Sequence, residues 1–322
     1  MLSRRSFGLA ALATTLAPAA PSFLLPAAAK APFATDTAPG YYRLKVGAYQ
    51  VTVLNDGFIN LEAKIFSGDP AGAGALLERS FLPKDAVKTS VNEWVINTGD
   101  KLVLIDTGTA NVFGPNLGHL AANLRAAGIA PEAVDMVVMT HLHPDHAAGL
   151  SADGKPAFPN ATLHVADAEY AFWTSETIAG QAPDGAKPMF TIARNATKPY
   201  ADAGRLVPFK DGDQILPGIN VLAAPGHTVG HSMVRVSSQG SDLLIWGDIV
   251  HNAAMQFPEP DRALAFDTDQ ALAIVSRKKV FDMAATDRLL VAGAHLPFPG
   301  IGRVAKEGNA YRYVPRPSSD DA

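Results

Sequence analysis

Thr140-His141-Leu142-His143-Pro144-Asp145-His146-Ala147-Ala148-Gly149 sets three imidazoles and a carboxylate within the six residues 141–146. The apolar run at 137–139 leads into it and reads as a buried strand, so the cluster stands just past a strand end. On extended backbone, residues at i and i+2 point the same way, which aims His141 and His143 together. Pro144 then forces a turn that can bring Asp145 and His146 to a neighbouring point. Neutral imidazole and carboxylate suit divalent metals such as Zn, Mn, Fe or Co. Packed without a cation, these groups would accumulate desolvation costs that nothing offsets.

Three more metal-type residues share that context. His227, Asp248 and His295 each follow a short apolar run and a small residue: 219–223 then Ala224-Pro225-Gly226, 243–246 then Gly247, and 289–292 then Gly293-Ala294. Four strand ends can thus deliver five His and two Asp to one sheet edge, enough for two metals sharing a bridging carboxylate. We assign His141, His143 and His227 to one metal, Asp145, His146 and His295 to the other, and Asp248 to the bridge. Asp106 follows another buried run, 102–105, and reads as an acceptor behind the ligands, since the others already fill the site.

The remaining elements are read coarsely. Residues 49–54 and 58–61 alternate and read as a hairpin turning on Asn55-Asp56-Gly57. Residues 62–90 read as a long loop, helical near 75–81, of the kind that often forms a lid, with Phe66 near a pocket. A second hairpin spans 91–97 and 101–105. A helix spans 116–127 and ends on Gly128. Residues 161–165 predict a strand, 167–174 a helix, and 180–199 an irregular stretch. Further strands fall at 219–223, 232–236, 243–246 and 289–292. Asp267 and Thr268 cap a helix running to about 285, on which Arg277-Lys278-Lys279 reads as a solvated face. Residues 30–40 and 316–322 read as loose.

The start of the chain carries its own signal. Ser3-Arg4-Arg5-Ser6-Phe7-Gly8-Leu9, an apolar segment broken by Pro18, and Ala27-Ala28-Ala29 before Lys30 read as a twin-arginine secretory signal over 1–29. It is too short and too Pro-interrupted to span a bilayer, so no stable membrane insertion is expected. The protein is therefore expected in the periplasm or outside the cell, as one domain over 30–322. That route exports folded protein, which suits an enzyme with its metal already loaded. Losing Arg4 and Arg5 and no acid takes the formal charge from −4 to −6, which argues against nucleic acid as a partner. The absence of Cys excludes disulfides, thiolate ligands and a Cys nucleophile.

The motifs His141-Leu-His143-Pro-Asp145-His146, Gly226-His-Thr-Val-Gly-His231, Trp246-Gly-Asp248 and Gly293-Ala-His295 resemble those of the metallo-β-lactamase superfamily. The chain is most similar to the branch holding methyl parathion hydrolase and dihydrocoumarin-type lactonases. Stretches 38–43, 102–108, 113–115, 120–124, 294–296 and 298–302 carry that likeness, which covers nearly all of the mature chain. It implies an α/β fold, the αββα sandwich of two mixed sheets with helices on the outer faces. It implies two divalent ions, zinc foremost, with Mn, Fe or Co as alternatives, and a homodimer. It places Phe113, Trp173 and Phe190 in an aromatic leaving-group pocket. Where the phosphotriesterase of this branch has an aliphatic residue, this chain has His251.

The reading is a secreted dinuclear hydrolase that opens lactones or cleaves aryl esters with a metal-bound hydroxide. Its small-molecule substrate leans a carbonyl oxygen on one metal. Asp145 is both ligand and proton carrier, and His251 a catalytic or substrate-facing group. His231 orients the His227 turn. The first alternative is an organophosphate triester hydrolase on the same site, which a polar His251 disfavours. The second is a mononuclear iron oxidoreductase of the same fold, and the third a non-catalytic metal-binding module.

Overall fold

The computed structural model describes residues 31 and 40–318. The signal segment and most of the two terminal stretches read as loose lie outside them. Contacts divide the chain into Met1–Ala38, of which only the exposed Ala31 is described, and Pro39–Ala322, which holds both sheets and every described helix.

One sheet uses β1 (Tyr41–Val46), β2 (Tyr49–Glu62), β3 (Ala86–Asn97), β4 (Leu102–Ile105) and β5 (Met136–Val138). A small ribbon, β6 (Ser151–Ala152) with β7 (Lys155–Pro156), stands apart, and β8 (Thr162–Ala166) and β9 (Leu206–Phe209) complete the sheet in the order β1-β2-β3-β4-β5-β8-β9. The second sheet runs in chain order: β10 (Gln214–Leu216), β11 (Ile219–Ala223), β12 (Ser232–Ser238), β13 (Ser241–Ile245), β14 (Leu290–Ala292), β15 (Ile301–Glu307) and β16 (Ala310–Pro315). Both sheets are mixed, because β4, β5, β8 and β9 pair in parallel, as do β13 and β14.

Strand alternation sorts the side chains into layers. Val103, Ile105 and Val138 face Val221, Val234 and Ile245 of the second sheet, forming the core between the sheets. Their neighbours Leu104 and Val137 point the other way. There they meet the helices α2 (Leu120–Ala126), α4 (Asp167–Thr174) and α6 (Lys187–Asp202) through Leu124, Trp173, Phe190 and Tyr200. The outer face of the second sheet, with Leu244 and Val291, packs on Val280, Phe281 and Ala284 of α8 (Gln270–Thr286). The layers are helix, sheet, sheet, helix, as the resemblance implies. Among the described residues no helix is long and apolar enough to cross a membrane.

Several local readings are corrected. Asn55-Asp56-Gly57 is no hairpin turn: β2 runs through it, and its pairing with β3 shifts register between Asn55 and Gly57. This bulge turns Asp56 inwards, where its carboxylate accepts from Thr109 N and Oγ1, Gly118 N and Leu120 N at 2.5–3.0 Å. Gly57 sits at φ 133°, with Asn116 O only 2.0 Å from where a Cβ would stand. Helix α2 therefore starts at Leu120, four residues later than read, because Asp56 receives its first amides. The lid-like stretch is tighter than expected, holding α1 (Pro70–Arg79) and the first half of β3. Phe66 packs there against Leu76, Leu77 and Leu264, and it lines no part of the cavity over the metal-type residues.

Residues 180–181 and 187–199 are helical, as the end of α5 (Glu176–Gln181) and most of α6, and only 182–186 between them are irregular. Pro199 sits inside α6. Its missing N–H frees the carbonyl of Asn195, and Ser151 Oγ donates to that oxygen at 3.2 Å. Arg277 is not solvated. It is buried, with its guanidinium donating to the carbonyls of Ile249, Pro260 and Arg262 at 2.8–2.9 Å. Asp269, not Asp267, caps α8 by accepting from Leu272 N. Strands β1, β9, β10, β15 and β16 and the β6–β7 ribbon carry no expectation from the sequence. Replacing Asp56 with alanine leaves three buried or half-buried amides without an acceptor. It should cost about 3 kcal/mol in denaturant unfolding, where an ordinary surface Asp→Ala change stays within about 0.5.

Candidate metal centre

Each donor rides on a strand end. After β5 the chain bends at Thr140 and reaches His143 in an extended conformation, φ −64° and ψ 154°. Pro144 then starts the short helix α3 (Pro144–Ala147), which carries Asp145 and His146. β11 delivers the His227 turn, β13 leads through Gly247 to Asp248, and β14 leads to His295. Two clusters result: His141, His143, His227 and Asp248; and Asp145, His146, Asp248 and His295. Within each, the donor atoms lie within 4.8 Å of one another. The structure thus brings together all seven residues named from the sequence, with Asp248 in both groups.

Asp248 is the hub. Its Oδ2 lies 3.6 Å from His141 Nε2, 3.2 Å from His227 Nε2 and 3.1 Å from His295 Nε2. Its Oδ1 lies 3.2 Å from His146 Nε2. Asp145 Oδ2 stands 3.5 Å from His146 Nε2 and 3.4 Å from His295 Nε2. The Nε2 atoms of His141, His146 and His227 and the Oδ1 of Asp248 are sealed from solvent without a hydrogen-bond partner. Buried polar atoms are rarely left so. Convergent orphan donors of this type fit divalent cations with a nitrogen and oxygen preference, zinc included.

The opposite ring edges are held. Asp106 Oδ2 lies 2.9 Å from His146 Nδ1 and also accepts from Thr140 Oγ1, while its Oδ1 accepts from Thr140 N. Asp106 does this from a left-handed backbone, φ 58°. Asp267 Oδ1 lies 2.7 Å from His227 Nδ1, and the Ser90 carbonyl lies 2.9 Å from His295 Nδ1. His231 Nδ1 donates to Ala224 O, leaving Nε2 to accept from Asp248 N at 3.0 Å. It therefore aims the bridging Asp as well as the His227 turn. Glu169 on α4 was missed: its carboxylate accepts from Leu142 N and Gly230 N, tying two ligand turns together. Asn92 on β3 was missed too, with Nδ2 donating to Gly293 O and Leu296 O on either side of His295. Such partners fix ring orientation and tautomer.

The charge states follow. Burial opposes protonation of His227, but the carboxylates of Asp248 and Asp267 beside its two ring nitrogens win, raising it to about 9. For His295 burial is likewise outweighed by Asp248 and Asp145, and it rises to about 10. His146 is raised well above its usual value, since Asp248, Asp145 and Asp106 overcome burial. Burial and neighbouring imidazolium charge hold His141 and His143 well below theirs. Burial lowers His231 to about 3 and His251 to about 4.

Above the donors lies a cavity of about 240 Å³, walled by Ile59, Leu61, Phe113, Met189 and Phe266 and floored by His143, Asp145, Asp248, His251 and His295. His251 stacks on the His295 ring at 4.8 Å, with Nε2 3.0 Å from Asp248 Oδ2. Phe113 lines the mouth, half-exposed. Trp173 and Phe190 do not line the cavity. Trp173 packs edge-on behind His143 at 5.2 Å, and Phe190 lies against Trp173 at 4.6 Å, both in the core. The helical turn that buries Phe190 presents its neighbour Met189 instead. Ile59 and Leu61 share a face of β2 at the strand's period of two, a signal obscured by the hairpin reading.

The Metallo-beta-lactamase superfamily matches residues 87–295. An N-acyl homoserine lactonase of Bacillus cereus is 23% identical over 235 residues, spanning 65% of this chain and 85% of that protein. Among solved structures, hydrolase AbOPH in beta lactamase superfamily is 35% identical with a TM-score of 0.84, covering 88% of this chain and all (100%) of that one. AidC, a dizinc quorum-quenching lactonase solved with a product, is 26% identical with a TM-score of 0.82, covering 87% of this chain and 98% of that one.

The three raised imidazoles must lose their protons when a cation takes their lone pairs. Zinc binding to the metal-free protein at pH 7 should therefore release roughly three protons per chain, read by calorimetry in buffers of different ionisation enthalpy. Apparent affinity should climb with pH towards 9–10, where His227 and His295 deprotonate unaided. Binding without proton release would contradict these charge states.

Proposed function

The chain belongs to the metallo-beta-lactamase superfamily and is a metal-dependent hydrolase of that fold, and from this footing we propose that it opens lactones and cleaves aryl esters at a two-metal site. The observation that carries the reading is a pair of donor clusters sharing Asp248, opening onto an apolar cavity. Zinc is the cation that the dizinc relative AidC favours. His141, His143 and His227 would hold one ion, Asp145, His146 and His295 the other, and Asp248 both. Such ions supply Lewis acidity and bring the deprotonation of bound water from about pH 15.7 down to near neutral.

The chain's own groups do the rest. Asp145 is the better placed of the two carboxylates to carry a proton to the leaving oxygen, because its side chain keeps 15% of its exposure against 2% for Asp248. His251 is neutral near pH 7 and puts a polar ring beside the reacting centre, which suits a carbonyl substrate. Ile59, Leu61, Met189 and Phe266 exclude water and hold an apolar ring or chain. Among the described residues no Lys or Arg lines the cavity. A neutral lactone or ester needs no side-chain cation to grip it.

On zinc-loaded protein, dihydrocoumarin, an N-acyl homoserine lactone and phenyl acetate should each exceed paraoxon in kcat/KM by about a hundredfold or more. Asp248→Ala should lose at least about a hundredfold on all of them together with bound metal. Paraoxon as the best substrate would move the assignment to phosphotriesters. One iron per chain without hydrolysis would move it to an oxidoreductase.

We also propose export through the twin-arginine route, supported by Arg4-Arg5 and Ala27-Ala28-Ala29, which lie outside the described residues. Cell fractionation should find the shortened protein in the periplasm, and Arg4→Lys with Arg5→Lys should hold the longer form inside.

A further inference from the structure

His251 follows Asp248 on a stretch with no strand to fix it. Its position is set from behind. Gln256, the last residue of α7 (Ala253–Gln256), is wholly buried. Its Oε1 accepts from His251 N at 2.7 Å and from Asn252 N at 3.2 Å, and its Nε2 donates to Arg262 O at 2.9 Å. Asn252 returns the grip by capping α7, its Oδ1 accepting from Met255 N. The Arg262 carbonyl is a shared anchor, receiving Arg277 Nη1 at 2.8 Å while Arg277 Nε donates to Ile249 O. Both flanks of the loop thus meet at one buried point, four residues before the cavity wall Phe266.

We infer that Gln256 is the positioning residue for substrate selection at this site, acting through His251. The inference rests on the hydrolase reading. Two accepted amides and one donated N–H are what a carboxamide of this length supplies. Glutamate keeps an oxygen that accepts both amides but brings its other oxygen against the Arg262 carbonyl, and methionine loses all three bonds. None of these bonds reaches a side chain of the seven metal-type residues. Releasing them moves the ring stacked on His295 without removing a metal ligand, and a displacement of about 1 Å at a reacting centre can cost up to a hundredfold.

The test uses zinc-loaded protein and the variants Gln256→Met, Gln256→Glu and His251→Ala, each checked for bound zinc and for folding by circular dichroism. Gln256→Met should keep the parent's zinc and raise KM for dihydrocoumarin about tenfold, with a smaller change in kcat. Gln256→Glu should fall between the two, and it serves alone if the Met variant does not fold. In a His251→Ala background, Gln256→Met should add nothing further to KM, because the group it positions is gone. An unchanged KM in a fully loaded Gln256→Met protein, or effects that add across the double variant, would overturn the inference. The His251 imidazole resonances of the zinc-loaded protein give a readout independent of turnover. They should shift or broaden in Gln256→Met, and unmoved resonances also overturn it. If the parent hydrolyses no lactone or ester, the proposed substrate class fails while these resonances still decide whether Gln256 places His251.

Discussion

One carboxylate facing four ligand-type imidazoles is the constraint around which the rest of the molecule is arranged. Asp248 lies within 3.6 Å of His141, His146, His227 and His295, at a point that solvent barely reaches. So much polarity in a dry place is costly unless it is compensated, and cations are the compensation that this donor chemistry suits. The surrounding structure holds these groups in register. Asp106, Asp267 and the Ser90 carbonyl fix the far edges of three rings. Glu169 and Asn92 fix the backbone of the turns that carry them.

Much of this was legible because its signal is local. A histidine-rich turn after an apolar run, repeated in weaker form at three other strand ends, names its own donors without knowledge of the tertiary fold. What hid was non-local. Asp56 in Asn55-Asp56-Gly57 has the composition of a hairpin turn, and only the arrival of residues 109–120 makes it an internal cap on a bulged strand. Pro199 is a helix breaker by local rule, and Ser151, nearly fifty residues away, supplies the bond that excuses it. Arg277 in a basic run reads as solvated until three carbonyls from another loop close on it. Asp267 had the right chemistry and was given the wrong task, capping a helix that Asp269 caps.

The aromatic residues make the same point about function. Trp173 and Phe190 are large and close to the donors in space, yet they stand behind His143 as packing, and their contribution is to stiffen a ligand. Apart from Phe113, the apolar cavity wall comes instead from Ile59, Leu61, Met189 and Phe266, which no motif marks. Chemistry is written in residue type, whereas cavity shape is written in which face of an element turns inwards.

The donors are also spread along the polypeptide, from His141 on one sheet to His295 near the end of the other, and β3 of the first sheet grips the His295 turn of the second. No fragment that stops short of residue 295 owns the second cluster, and neither sheet alone owns the first. Metal capture is therefore a late event in the life of a nascent chain, available only once both halves have closed on each other. A bound ion would then act as a certificate of completed folding.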